Sequence, residues 1–389
     1  MNTALPILDY LRDRREDMVG FLERLVRAET PSASPAAQQP AFALLAEALE
    51  ALRFEPRRLA GRTSGGQLYA RPRDRSRTQP IQLLLGHIDT VWPVGTLANM
   101  PVRREGNHLR GPGAYDMKGG LIQIVFALQA LRELGLAMPV VPVVLVNSDE
   151  EIGSRESTGY IRRLARIANR AYVLEPSLGP DGRLKTARKG IGRFTVIVKG
   201  RAAHAGLNPE AGASAILELS HQIQRLFALN DPDAGVTVNV GMIDGGIGPN
   251  VVAPESRAII DVRVPTHEAA RRVEQAIRGL TPVTPGVSLM IEGFIGRPPM
   301  ERTPAGQSLW RVAQAIGLRM GLNLEQATAG GGSDGNTTSQ YTATLDGLGP
   351  VGDGAHAHHE FVVVDQLIER TALLALLLLE PPLAGATAA

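Results

Sequence analysis

The chain has 389 residues, 44% of them hydrophobic and 21% charged, which is ordinary for a soluble protein and long for a single core, so two domains are expected. Lysine and arginine number 41 against 39 acids, a net charge of +2 with no basic block, which argues against a nucleic-acid partner. There is no cysteine, which excludes disulfides, thiolate metal sites and thiol nucleophiles and leaves His, Asp and Glu as metal ligands.

The opening text, MNTALPILDYLRDRRED, is charged and amphipathic, without an apolar stretch leading to a small-residue cleavage site, so a cytoplasmic protein is expected. Helical spacing over 5–28 (Leu8, Leu11, Phe21, Leu25) is broken by the proline-containing 31–40, and a second helix is expected over 41–52. Strands follow at 68–70 and 81–85. In the latter, Ile81, Leu83, Leu84 and Leu85 precede Gly86, which suits a strand buried on both faces of a parallel sheet. GPGAYDMKGG leads into a long helix over 119–134. A strand over 140–146 follows, where Pro142 argues for an edge or a bulge. A helix over 157–168 and a strand over 171–174 complete an alternation of strand and helix that suits a parallel, helix-covered sheet.

The pattern then changes. Phe194, Val196 and Val198 alternate, as do parts of 258–264, which suits a half-exposed antiparallel sheet. Helices over 214–228 and 267–278 lie among strands near 192–199, 236–242, 258–264 and 287–292, the order of a split βαβ, ferredoxin-like domain. Pro/Arg-rich text at 297–304 reads as a linker, followed by a helix over 307–320, the turn GGGSDGN and a last helix from Asp365. The expected organisation is α/β, with residues 190–299 inserted into a larger domain of 1–189 and 300–389. The apolar run 372–379 is too short to span a bilayer and reads as a buried helix, and the tail LAGATAA as frayed.

Acids and histidines recur where strands of the first domain should end: His87 and Asp89, Asp116, Glu150 and Glu151, Glu175, and His356 four residues before Glu360. Each has an ordinary alternative. Asp116 could cap a helix, Glu150 and Glu151 could form a solvated loop, Glu175 could be a strand-end charge, and the histidines at 356–359 a surface cluster. Convergence on one sheet edge argues against five separate explanations, because open α/β sheets gather chemistry at the carboxyl ends of their strands. That edge would offer imidazoles and carboxylates suited to two divalent ions of hard to borderline character.

The segments GHIDTVWPVG, GPGAYDMKGG, NSDEEIGS, LEPS, GRAAHAG, GGGSDGN and HAHHEF occur in this order. Together they closely resemble the dizinc aminoacylase and glutamate-carboxypeptidase family of metallopeptidases, particularly its bacterial glutamate carboxypeptidases. The resemblance spans about 9–370. It implies a mixed, mainly parallel zinc-peptidase sheet and an inserted lid and dimerisation domain. It also implies two zinc ions per chain, with cobalt or manganese able to substitute. His87 and Glu175 would hold one ion, Glu151 and His356 the other, and Asp116 would bridge them. Glu150 would be the general base and Asp89 the partner of His87. His204, from the neighbouring subunit of a homodimer, would donate to the oxyanion; otherwise it reads as an exposed turn histidine. The bond between Asp116 and Met117 would be cis.

The resemblance further points to Arg263, in DVRV, as the holder of the substrate's terminal carboxylate, with Asn250 a polar contact of the same site. An arginine fork suits that task, although an edge-strand surface arginine is the ordinary alternative. The turn containing Gly331 and Gly332 would offer backbone N–H groups to an anion at a helix start, or simply precede a helix capped by Ser333 or Asp334. The expected activity is hydrolysis of an amide bond beside a free carboxylate in a small peptide, releasing a C-terminal amino acid such as glutamate. An N-acyl amino acid deacylase or desuccinylase is the rival. A non-catalytic binding protein on this scaffold should lack the base or a ligand, and this chain keeps both.

Overall fold

The computed structural model describes residues 3–76 and 78–383. The tail read as frayed lies, from residue 384, outside them. Two compact units are present, one of Met1–Thr186, Arg302–Thr328 and Ser333–Ala389, the other of Ala187–Glu301 with Ala329–Gly332.

The larger unit is built on a six-stranded sheet in the order Phe54–Leu59, Gln67–Pro72, Val141–Asn147, Ile81–His87, Ala168–Val173, Ala343–Leu345. The first two pairings are antiparallel and the last three parallel. Ile81–His87 sits inside the sheet and is buried at every position. Leu84 faces a core of helices while Ile81, Leu83 and Leu85 face a second cluster with Val143, Ile161 and Val173, so apolar residues occupy both faces. Helix Gly119–Glu133 is buried almost all round and packs against Val364–Leu378, which contains most of the apolar run near the end of the chain. Among the described residues no helix is long and apolar enough to cross a membrane.

Three expectations need correction. The helix over 5–28 is two helices, Ala4–Asp13 and Arg15–Arg27, meeting at Arg14. Residues 12–17 are all charged, so no apolar side chain ties that turn to the core. Strand Phe54–Leu59 was not foreseen, because FEPRRL is a half-exposed edge strand whose charges mask its pattern. Pro142 lies in an interior strand without a bulge there. Pairing with Gln67–Pro72 covers only Val144, Leu145 and Val146. The neighbouring Val141 N–H donates to Pro80 on the other flank, so the missing N–H of Pro142 faces the stretch where no strand pairs.

The second unit is a four-stranded antiparallel sheet in the order Thr237–Gly245, Glu255–Val264, Gly190–Lys199, Ser288–Arg297. Phe194, Val196, Ile260 and Val262 meet Leu219 and Val273 of helices Ala215–Phe227 and His267–Arg278 in its core. Both helices start at hydroxyl caps, Ser214 accepting from Leu217 N–H and Thr266 from Ala269 N–H.

Candidate metal centre

Strand Ile81–His87 delivers His87 to the carboxyl edge of the sheet, where it is 1% exposed. Its Nδ1 lies 3.0 Å from the Asp89 carbonyl oxygen and 3.4 Å from Asp89 Oδ1. That turns Nε2 toward Asp116 Oδ1 at 3.3 Å and Glu175 Oε1 at 3.5 Å. Asp89 is fully buried and also accepts from Glu150 N–H, Glu151 N–H and Ser32 Oγ–H. One carboxylate thus ties the His87 turn to the NSDEEIGS loop. Asp149 in that loop accepts from Glu156 N–H and Ser157 N–H, ahead of helix Thr158–Ile167.

Asp116 follows a tight turn. Gly113 has φ +74°, and a Cβ there would stand 2.5 Å from Thr90 Cγ2. The bond between Asp116 and Met117 is cis. A Cβ on Gly120 would lie 2.0 Å from the Leu174 carbonyl, so glycine lets the buried helix reach the strand end that carries Glu175. Asp116 stands between two imidazoles: Oδ1 lies 3.3 Å from His87 Nε2 and Oδ2 3.5 Å from His356 Nε2. His356 Nε2 is also 3.1 Å from Glu151 Oε2. The other two histidines of the cluster turn elsewhere, His358 onto the Trp92 ring and His359 toward Asp353.

Two sets of side chains bring ligand atoms within 4.8 Å of one another, His87 with Glu150 and Glu175, and His87 with Asp116 and Glu151. Burial alone would lower His87, but Asp116, Asp89 and Glu175 raise it well above its usual value. Glu151 raises His356 to about 9 against the effect of burial. Burial pushes Asp116 up, yet the His87 contact holds it below the ordinary carboxylate range, and burial raises Glu151. Four carboxylates against two imidazoles, with Asp116 Oδ1 buried and lacking a well-aligned hydrogen-bond donor, fit divalent cations with nitrogen and oxygen ligands.

The remaining residues singled out by sequence lie outside this cluster. His204 is exposed, and its Nδ1 accepts from Gly206 N–H and Leu207 N–H at 3.1 and 3.2 Å. In the neutral ring the proton therefore sits on Nε2, which is free to donate. Asn250 is adjacent, its carbonyl accepting from Ala205 N–H, while His204 pairs with Val251. Arg263 does not join them within one inserted unit. It stands eight residues along Glu255–Val264 from the end beside Gly245, roughly 27 Å at strand rise. Its fork is engaged by Asp261, Nε to Oδ1 at 2.7 Å and Nη2 to Oδ2 at 3.1 Å. Gly331 and Gly332 group with the inserted unit, and their carbonyls accept from Arg188. At the short helix Gly335–Thr338, Ser333 Oγ accepts from Gly335 N–H, and Ser333 N–H donates to Asn336 Oδ1.

Three residues around the centre were not singled out beforehand. Ser32 holds Asp89, Trp92 reaches Glu360, and Glu360 is buried against the Asp116 turn. Burial raises Glu360 to about 7 while N–H donors from Asp116 and Gly113 pull the other way. In the sequence Glu360 stood out only as the acid four residues after His356 in HAHHEF. Ser32, in a proline-rich break, carried no signal.

A family model described as Peptidase family M20/M25/M40 matches residues 83–380. Carboxypeptidase G2 of Pseudomonas sp. (strain RS-16) is 29% identical over 377 residues, 95% of this chain and 90% of that protein. Succinyl-diaminopimelate desuccinylase of Delftia acidovorans is 27% identical over 342 residues, 82% of this chain and 87% of that one. Aminopeptidase PepT from Bacillus cereus shares the fold, with a TM-score of 0.77 at 21% identity over 94% of this chain and 98% of that chain.

Proposed function

Since the chain belongs to peptidase family M20/M25/M40 and is a hydrolytic enzyme, we propose that it is a dinuclear metallohydrolase cleaving an amide bond beside a free carboxylate. The observation that carries this reading is Asp116, with one oxygen toward His87 and the other toward His356. His87 and Glu175 would hold one ion, Glu151 and His356 the other, and Asp116 both. Zinc suits this ligand set, with cobalt or manganese able to replace it. When bound, such a pair acidifies water and polarises the scissile carbonyl.

The chain's own residues would do the rest. Asp89 orients His87 through Nδ1. The Glu150 carboxylate takes a proton from the attacking water and passes it to the leaving amine. His204 Nε2–H suits an oxyanion donor, with Asn250 beside it. A homodimer through the inserted unit would supply these two residues to the partner's centre. Its support is the edge strand Thr237–Gly245, where Met242 and Ile243 are 65% and 67% exposed beside Phe227.

The similarity to carboxypeptidase G2 over nearly the whole chain favours release of a C-terminal amino acid such as glutamate. The similarity to desuccinylases supports N-acyl or N-succinyl amino acid hydrolysis as the second reading. Zinc-loaded protein assayed against peptides ending in glutamate and against N-acyl and N-succinyl amino acids decides between them. The larger kcat/KM is expected for the peptides. A larger value for the acylated amino acids establishes the second reading, and no hydrolysis of either set defeats both.

A further inference from the structure

We propose that Glu360 is a positioning residue that sets the second ion site by locking the Asp116 turn to the His356 turn. This rests on the dinuclear reading above, and the experiment below separates the two.

Glu360 is 1% exposed, yet its two oxygens collect four donors. Oε1 accepts from Tyr115 N–H at 2.9 Å and Asp116 N–H at 3.0 Å. Oε2 accepts from Gly113 N–H at 2.9 Å and from the Trp92 indole N–H at 3.2 Å. Three of these donors belong to the turn that carries Asp116, and the fourth to the segment running on from His87 and Asp89. The backbone repeats the connection. Gly111 N–H donates to the Glu360 carbonyl, and Phe361–Val363 pairs with His108–Arg110 just before the Asp116 turn.

His356 is four residues upstream on a short closed turn. Ala357 N–H donates to the Gly354 carbonyl and Glu360 N–H to the Ala357 carbonyl. His356 itself has φ +61°, a left-handed conformation costly for a residue with a Cβ, so surrounding contacts must hold it. The Trp92 ring closes the arrangement against His358, with ring centres 5.2 Å apart. One carboxylate therefore binds the segments bearing His87, Asp116 and His356, and it sets where Asp116 Oδ2 stands relative to His356 Nε2. His87 and Glu175 depend on it less, because their strands are fixed by parallel pairing in the main sheet.

Glutamine has the same shape but a different donor count. Its amide presents one acceptor oxygen, and its NH2 would face N–H groups that need an acceptor. Glu360→Gln should therefore misplace the Asp116 turn against the His356 turn. Titration of the metal-free protein with Co2+, followed by calorimetry and by visible absorption, reads the two sites separately. Wild type should bind two ions. Glu360→Gln should weaken the second ion by about 10–100-fold, the usual effect of losing a ligand's hydrogen-bond partner, and weaken the first, which shares Asp116 but keeps His87 and Glu175 on paired strands, by clearly less. A merely structural role would lower both affinities equally or neither. Trp92→Phe, which removes one donor and keeps the ring, should weaken the second ion more than the first, and by less than Glu360→Gln. It decides the matter should Glu360→Gln not fold. Wild-type affinities for both ions in the variant that folds overturn the inference. Wild type that binds one ion overturns the dinuclear reading itself, and the inference with it.

Discussion

His87 and His204 are both proposed to act on one substrate, yet their surroundings differ in kind. His87 is 1% exposed, in line with a central strand, and meets the carboxylates of Asp89, Asp116 and Glu175. His204 stands in solvent on a turn, and only two backbone N–H groups orient its ring. The difference teaches what each has to do. The ligand role proposed for His87 requires a position held within a few tenths of an ångström, and a strand end braced by buried acids supplies it. The donor role proposed for His204 requires a reachable group, and an exposed turn supplies one.

The largest effects are expected in the buried centre. Glu150→Gln should leave both ions bound and lower kcat by about 10²–10⁴-fold or more, because only the proton carrier is lost. Glu151→Gln should instead lower metal content, measured by elemental analysis after dialysis. The reverse pattern exchanges the roles of the two residues.

His204→Ala should lower kcat by roughly 10²–10³-fold at unchanged metal content, as for an oxyanion donor. Mixed with Glu150→Gln protein, it should regain activity. Random exchange makes half the dimers mixed, each with one working centre of two, about a quarter of wild-type activity. Exchange without recovery would place His204 within its own centre or outside catalysis.

Acidity offers a third test. Glu151 raises His356 to about 9, so at pH 7 its ring holds a proton that a metal ion must displace, and the acids around His87 shift it in the same direction. Apparent metal affinity should therefore rise with pH, about tenfold per unit for each proton released, up to about pH 9 for His356. Calorimetry in buffers of different ionisation enthalpy should count about one proton fewer released on metal binding in His356→Ala than in wild type. Equal counts in the two proteins would remove His356 from the ligand set.

Arg263 is the smallest and most discriminating case. Its fork already holds Asp261, both partners about a third exposed, so a substrate carboxylate would have to compete with that pair. Arg263→Ala should raise KM for free-acid substrates tenfold or less, leaving metal content and kcat near wild type. The same change for substrates with an amidated terminus would show that Arg263 does not read the carboxylate.

Much of this architecture was legible because local pattern and burial agreed. Ile81 to Leu85 is apolar on both faces, and the strand is buried at every position. Phe194, Val196 and Val198 alternate, and all three face the core of the inserted sheet. Elements whose stability comes from pairing rather than pattern were not legible. Arg103–Glu105 and His108–Arg110 form a sheet with Gly352–Asp353 and Phe361–Val363, brought from far along the chain. Three or fewer residues carry no period.

Composition and spacing limited which residue types could do the chemistry: no thiols, and acids or histidines spaced where buried strands should end. They also placed a half-exposed antiparallel segment between two helix-covered ones, since side-chain period reports burial directly. Tertiary structure alone decided which oxygen meets which nitrogen. Asp116 stands between two residues separated by most of the chain: His87, which ends a strand of the main sheet, and His356, which lies beside the small sheet pairing Phe361–Val363 with His108–Arg110. It alone separated Arg263 from Asn250, since two residues near each end of a strand can be close in sequence and a strand's length apart in space. And it alone placed Glu360 beneath Asp116, because a hydrogen bond between segments some 245 residues apart leaves no trace in either segment's local pattern.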